Sequence, residues 1–316
     1  MKMKVILSYA IVLFFLGWCA YAFRADIAQI KLAPILAAKD AIFLALMLSL
    51  LNYVLRVARW NLYLSHLGHP LPILFSSLTY IAGFAFTLSP GKVGEMVRGR
   101  YYQKIGIPLS STAAAFFVER LMDLLAMLAL AFLALASSSA YYSLVWGTVS
   151  VIAILMIFFS SAPLVKIAED VDRMAWFPES LKKISQGVVR TLVSAKVLFI
   201  PKMLAAGFMV GLIAWGAEGM GLMVIGAISP GISIDWSTAT GIYSIAIVVG
   251  ALSFLPGGLG STEAVMIVML AGHGYPMQGA ILMTVVCRLL TLWFAVMIGW
   301  IAVAVLRRSP MLAGIS

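Results

Sequence analysis

Charge is what this sequence has least of. Only 11% of its 316 residues are Asp, Glu, Lys or Arg, against roughly a quarter in soluble domains, and that shortage excludes an ordinary water-soluble fold. Cysteine is nearly absent. Cys19 and Cys287 lie in apolar segments without metal-ligand spacing and read as small buried side chains. Histidine is as sparse: His66, His69 and His273 are too dispersed for a metal centre, and Ser261-Thr262-Glu263 has no matching histidine for nucleophilic chemistry. No cofactor or metal is expected. No basic run alternates with aromatics, which argues against a nucleic-acid partner.

What the chain does have is apolar sequence. Hydrophobic residues make up 63% and the mean hydropathy is +1.06, so an all-α polytopic membrane protein is expected, folded as a single integral membrane domain. Spans need about 20 apolar residues each. Full spans are expected at 5–23, 41–64, 109–136, 141–159, 203–228 and 276–306. A cleaved signal peptide ending near Ala20-Tyr21-Ala22 competes for the first of these. Residues 163–200 carry apolar positions at helical spacing opposite a mixed-charge face, the pattern of two interfacial helices separated by Pro178. The excess of 22 Lys+Arg over 12 Asp+Glu gives a net charge of +10, suited to anionic lipid head groups.

Two stretches interrupt the apolar pattern in the same way. Pro90 to Gly94 and Pro256 to Gly260 share Pro-Gly-x-apolar-Gly, and each is followed by a proline (Pro108, Pro276) and then by an arginine (Arg120, Arg288) twelve residues later. Proline withholds a backbone donor and glycine permits left-handed dihedrals, so a helix entering either stretch should break. Re-entrant broken-helix hairpins are therefore expected at 73–105 and 236–272. Non-helical backbone at membrane depth survives only where it is buried in protein or lines a wet cavity, which makes each break a candidate site. Repeat 1 then covers about 41–136 and repeat 2 about 203–306, with the cytoplasmic segment 163–200 between them.

Charge placement orients the chain. Lys and Arg in residues 2–4, 92–104, 166–202 and 307–308 fall on one side, while the other has only Arg24, Lys31 and Lys39. The positive-inside rule puts the first side, with both termini, in the cytoplasm. An odd number of spans between the hairpins makes the second enter from the opposite face, giving the inverted repeat of alternating-access transporters.

The intramembrane charges are the candidate chemistry, since each costs roughly 2.5–3.5 kcal/mol unless it faces protein or water. Glu119 and Asp123 share a helix face and Arg120 is within reach of both. Arg288 has no acidic neighbour in sequence and needs an anion from Glu119, Glu218, Glu263 or a ligand. Guanidinium forks suit phosphate, and helix starts after Gly94 and Gly260 offer free N–H groups. Anion binding and internal ion pairing both remain open for Arg120 and Arg288. Glu95 and Glu263 read either as first-turn caps or as gating or proton-linked groups. Arg56 and Arg59, in the last third of their span beside Trp60, read as arginines that snorkel to the interface, with Arg59 alternatively turning inward towards a phosphate. Lys92, Arg98 and Arg100 are placed at the cytoplasmic mouth, where they would attract an anionic lipid.

RVARW, SPGKVGEMVRGRYYQKIG, VERLMD and FLPGGLGSTE, in that order along the chain, resemble the membrane region of bacterial lysylphosphatidylglycerol synthases and their stand-alone flippase-like relatives, a likeness that covers nearly the whole chain. That resemblance implies a bacterial inner-membrane protein moving a polar lipid between leaflets: an aminoacylated phospholipid in the synthases, lipid-linked sugars or other polar lipids in relatives. It carries over Arg59, Glu95, Arg98, Glu119, Arg120, Asp123, Gly257, Gly258, Gly260 and Glu263 as substrate-binding positions, beside Lys92 and Arg288 from the residues themselves. The chain ends ten residues after Leu306 without a soluble catalytic domain, so synthase activity is not expected. An ion-coupled carrier of a small anion, an intramembrane lipid-modifying enzyme and an accessory partner of lipid-biosynthesis enzymes are the alternatives. Oligomeric state is left open.

Overall fold

A computed structural model describes residues 32–135, 150, 179–229 and 231–308. The expected spans at 5–23 and 141–159 and the first half of the 163–200 segment lie outside them. Every regular element described is helical. In order these are α1 (Leu32–Ala37), α2 (Lys39–His66), α3 (Ile73–Phe84), a 3-10 segment (Pro90–Val97), α4 (Arg98–Gln103), α5 (Leu109–Leu135), α6 (Glu179–Leu198), α7 (Pro201–Ile225), α8 (Trp236–Leu252), a 3-10 turn (Pro256–Gly258), α9 (Ser261–Gly272), α10 (Met277–Arg288), a π-helical turn (Leu289–Trp293) and α11 (Phe294–Arg308). The protein is an all-α polytopic membrane protein. Lys39–His66, Pro201–Ile228 and Met277–Arg308 are each long and apolar enough to cross a bilayer. α5 has the length as well, with Glu119 and Asp123 turned into the protein.

Both breaks form where proline and glycine predicted them. Prolines 90 and 256 each open a 3-10 stretch. In the second break Gly257, Gly258 and Gly260 have φ of 63°, 67° and 85°, a run of left-handed backbone that side-chain-bearing residues rarely adopt. The chain doubles back at each. In the first hairpin Thr79 donates to Tyr102 Oη at 2.8 Å and Thr87 to Glu95 Oε1 at 2.7 Å, so its two legs run antiparallel. In the second, Ser253 and Ser261 hydroxyls pair at 2.9 Å. α3 has 12 residues, about 18 Å at 1.5 Å per residue, well short of a hydrocarbon core of about 30 Å.

The long helices α2 and α7 pack antiparallel: Ser49 reaches Glu218, Asn52 the carbonyl of Ala214 and Arg59 that of Gly207. The first hairpin opens at the α2 C-terminal end of this pair and the second at the α7 C-terminal end. Packing around the pair is reciprocal. α3, from the first hairpin, lies on α11, while α8, from the second, lies on α5, and the two breaks touch each other. A Cβ on Gly257 would stand 2.7 Å from Leu88 Cδ2. Two apolar cores result, one around Trp60, Tyr80, Phe84 and Tyr102 and the other around Trp215, Tyr243, Met266 and Met283.

Candidate functional site

The site grows out of four elements. α2 presents Ser49, Asn52, Arg56 and Arg59 on one stripe at helical spacing, and all four are buried. α5 presents Glu119, Arg120 and Asp123. The first break and the start of α4 add Glu95 and Arg98, and α7 closes the group with Trp215. Arg59 Nη2 bonds Asp123 Oδ1 at 2.6 Å, and Trp215 Nε1 donates to the same oxygen at 3.0 Å. Arg98 Nη2 bonds Glu95 Oε2 at 2.9 Å and its Nη1 lies 3.4 Å from Glu119 Oε2. Arg120 Nη2 is 3.1 Å from Glu119, 3.3 Å from Asp123 and 3.7 Å from Glu95. Tyr80 donates its hydroxyl to Glu119. Four guanidiniums thus share three carboxylates inside apolar surroundings, where removing one member of a bonded pair typically costs 3–5 kcal/mol.

Arg56 is the member least engaged. Its Nη2 lies 3.6 Å from Glu119 and 3.9 Å from Asp123, and its Nε and Nη2 are buried without a hydrogen-bond partner. What holds it is aromatic: the guanidinium carbon sits 5.4, 5.5 and 5.9 Å from the ring centres of Phe84, Trp215 and Tyr80, a cation–π setting. Arg56 lines a cavity of about 60 Å³ shared with Asn52, Thr87, Glu218 and Arg288, at the junction of the two halves.

In the second half Arg288 Nε bonds Glu263 Oε1 at 2.6 Å and its Nη2 the Gly257 carbonyl at 2.8 Å. Of the anions considered for it, Glu263 is the one it uses. The other Glu263 oxygen accepts from Gly260 N–H at 2.6 Å, so this carboxylate caps α9 and pairs with arginine at once.

Two expectations change and one alternative closes. The N–H groups of Gly94 and Gly260 are not free for a ligand, because Ser89 Oγ takes the first at 2.6 Å and Glu263 the second. Arg98 is not at the mouth: it is fully buried, its guanidinium carbon 4.4 Å from the Trp60 ring centre and 4.3 Å from that of Tyr80. Arg59 does not snorkel; its side chain is fully buried against Asp123. The arginine that lines a cavity together with Arg288 is Arg56. Sequence reasoning passed over Arg56 as an interfacial residue. The stripe of Ser49, Asn52, Arg56 and Arg59 was the signal that marked it as inward-facing. Lys92's side chain lies outside what the structure describes, while Gly257, Gly258 and Gly260 shape the second break.

The sequence model of the lysylphosphatidylglycerol synthase TM region matches residues 5–299. The chain belongs to that family. Within the lysylphosphatidylglycerol synthase TM region family, the buried network and both breaks fall inside the matched stretch. The chain is also similar to the UPF0104 membrane protein MJ1078 of Methanocaldococcus jannaschii, at 22% identity over 236 residues, covering 72% of this chain and 95% of that protein. Membership ties the chain to membrane-lipid function.

Proposed function

We propose that the protein moves a phosphate-bearing lipid between leaflets, its head group passing the buried network and its acyl chains remaining in the bilayer. The observation that carries this is Arg56, a buried guanidinium with two N–H-bearing nitrogens that have no acceptor, facing a cavity between the halves. A phosphate oxygen is the partner such a fork fits. Reciprocal packing of α3 on α11 and α8 on α5, around antiparallel α2 and α7, supports an inverted repeat whose hairpins enter from opposite faces. The basic excess on one side supports cytoplasmic termini in an inner membrane. Arg120, half-shielded at the network's edge, is the first contact for an incoming anion.

The cavity's size favours a second reading, a carrier of a small anion, since about 60 Å³ holds little more than a few waters. One experiment separates the two. Vesicles containing the protein are assayed for leaflet exchange of fluorescent phosphatidylglycerol and, in parallel, for uptake of labelled inorganic phosphate. Lipid exchange above empty vesicles with no phosphate uptake is expected. Phosphate uptake alone makes it an anion carrier, and neither activity ends both readings.

A further inference from the structure

Beside the network, and outside it, a groove of about 710 Å³ runs between α4–α5 and α6. We propose that this groove is the lateral doorway of the protein, seating an acyl chain of an anionic diacyl phospholipid drawn from the leaflet at the end where the first hairpin opens. The inference rests on the lipid-transfer reading and names the entry route for it.

Three observations carry the doorway. The lining is mostly apolar, through Met96, Ala113, Phe117 and Leu192, with Gln103, Ser110, Arg190 and Thr191 as its polar groups and no carboxylate among its walls. That pattern suits an acyl chain whose head group is negative, and the volume lies in the range of small-ligand sites. Its inner end meets the network: Met96 follows Glu95, and Phe117 lies one turn before Arg120 on α5, on the same helix face. Arg120 is also the exposed edge of the network, its side chain 22% accessible against 6% or less for Arg56, Arg59 and Arg98. A lipid tail lying along Ala113 and Phe117 is therefore within one turn of the most accessible arginine side chain of the network. α6 completes the wall as an amphipathic helix, with Arg190 on its exposed face; a basic side chain near an anionic leaflet favours acidic lipid over zwitterionic lipid.

Gly187 supplies a clean plug. It lines the groove, and a Cβ built on it meets nothing within 4 Å, so Gly187→Trp fills the groove without a backbone clash. The full chain is reconstituted with phosphatidylglycerol or phosphatidylcholine carrying a photoactivatable acyl chain, and labelled peptides are mapped. Labelling at Phe117 and Leu192 is expected to favour phosphatidylglycerol by about fivefold, to equalise in Arg190→Ala, and to disappear in Gly187→Trp. Equal labelling by the two lipids in the unaltered protein, or no label in the groove, as a protein occupant would leave it, overturns the proposal. Leaflet exchange separates its fate from that of the transfer reading. A protein that labels in the groove and moves no lipid keeps the site and loses the transfer reading. One that moves lipid at an unchanged rate with Gly187→Trp keeps transfer and loses the doorway.

Discussion

Replacing Arg56 by methionine should separate transport from stability, and replacing Arg59 should not. Both arginines are on α2, one turn apart, and both are buried. They differ in what they hold. Arg59→Met takes away the 2.6 Å bond to Asp123 and the 3.2 Å bond to the Gly207 carbonyl, leaving a buried carboxylate short of its closest cation at a cost of about 3–5 kcal/mol. Arg56→Met takes away no hydrogen bond. Glu119 keeps Arg98, Arg120 and Tyr80, and Asp123 keeps Arg59 and Trp215. The cation–π contribution lost, about 2 kcal/mol for a desolvated group, is offset by no longer burying unbonded N–H groups, worth about 1–3 kcal/mol. The net change in stability should be within about 1 kcal/mol. Transport should fall about 10- to 100-fold, the equivalent of one charge-assisted hydrogen bond of roughly 1.5–3 kcal/mol. Equilibrium unfolding in mixed micelles and leaflet exchange of a fluorescent anionic lipid measure the two. An Arg56→Met protein that moves lipid at the unaltered rate, or that unfolds as readily as Arg59→Met, would refute the assignment of Arg56 to the passing anion.

Glu263→Gln should destabilise by about 3–5 kcal/mol, because the one side chain serves both Arg288 and the α9 cap; unfolding titrations read this directly. Gly299→Ala should cost at least 1–3 kcal/mol, since its Cβ would stand 2.2 Å from Ala85 N and 2.8 Å from Phe84 C, backbone atoms that cannot swing aside; Gly187→Ala, in open space, should instead stabilise slightly in the same assay. Asp235→Ala removes the cap of α8, where Thr238 N–H, Ser237 and Thr238 hydroxyls hold the carboxyl well below its usual range, and should cost about 1 kcal/mol. Because the folded-state value is depressed, that loss should be constant above about pH 5 and shrink as pH falls below the unfolded value of about 3.9, a dependence that unfolding at several pH values will show or deny.

The parts legible in the sequence are those written in local chemistry. Proline and glycine punctuation placed the second hairpin at 236–272, and α8 and α9 occupy 236–252 and 261–272 within it. The Arg120 cluster could be read because its partners are one turn away. What escaped depended on residues far apart in the chain. Nothing near Arg98 announces that Trp60 and Tyr80 will enclose it, so a count of loop charges puts it at the surface. The N–H groups of the breaks looked available because Ser89 and Glu263 were not yet known to fold back on them. Arg56 was misread for a different reason: closeness to a helix end favours snorkelling, whereas the face it occupies, with Ser49, Asn52 and Arg59, points inward, and the face decides.

The two breaks occupy matched places but are held unequally. The first is tied by Thr87 and Arg98 to Glu95, inside a network of seven charged groups that includes Arg120. The second depends on three left-handed glycines and one Arg288–Glu263 bridge whose carboxylate is 22% accessible. Identical halves related by a pseudo-two-fold axis would make the two opposite-facing arrangements equal in energy. On the inverted-repeat reading proposed above, the surplus of buried ion pairs around the first break would remove that equality and favour the arrangement in which its network is closed. A ligand can shift this balance only by binding the other arrangement more tightly. On the lipid-transfer reading, the anion does so by competing with Glu119 and Glu95 for Arg120, whose contacts to them at 3.1 and 3.7 Å are looser than the bonds that fix Arg59 and Arg98. The charge that has to cross is then also the charge that loosens the closed half, and an uncharged lipid of the same shape should leave it shut.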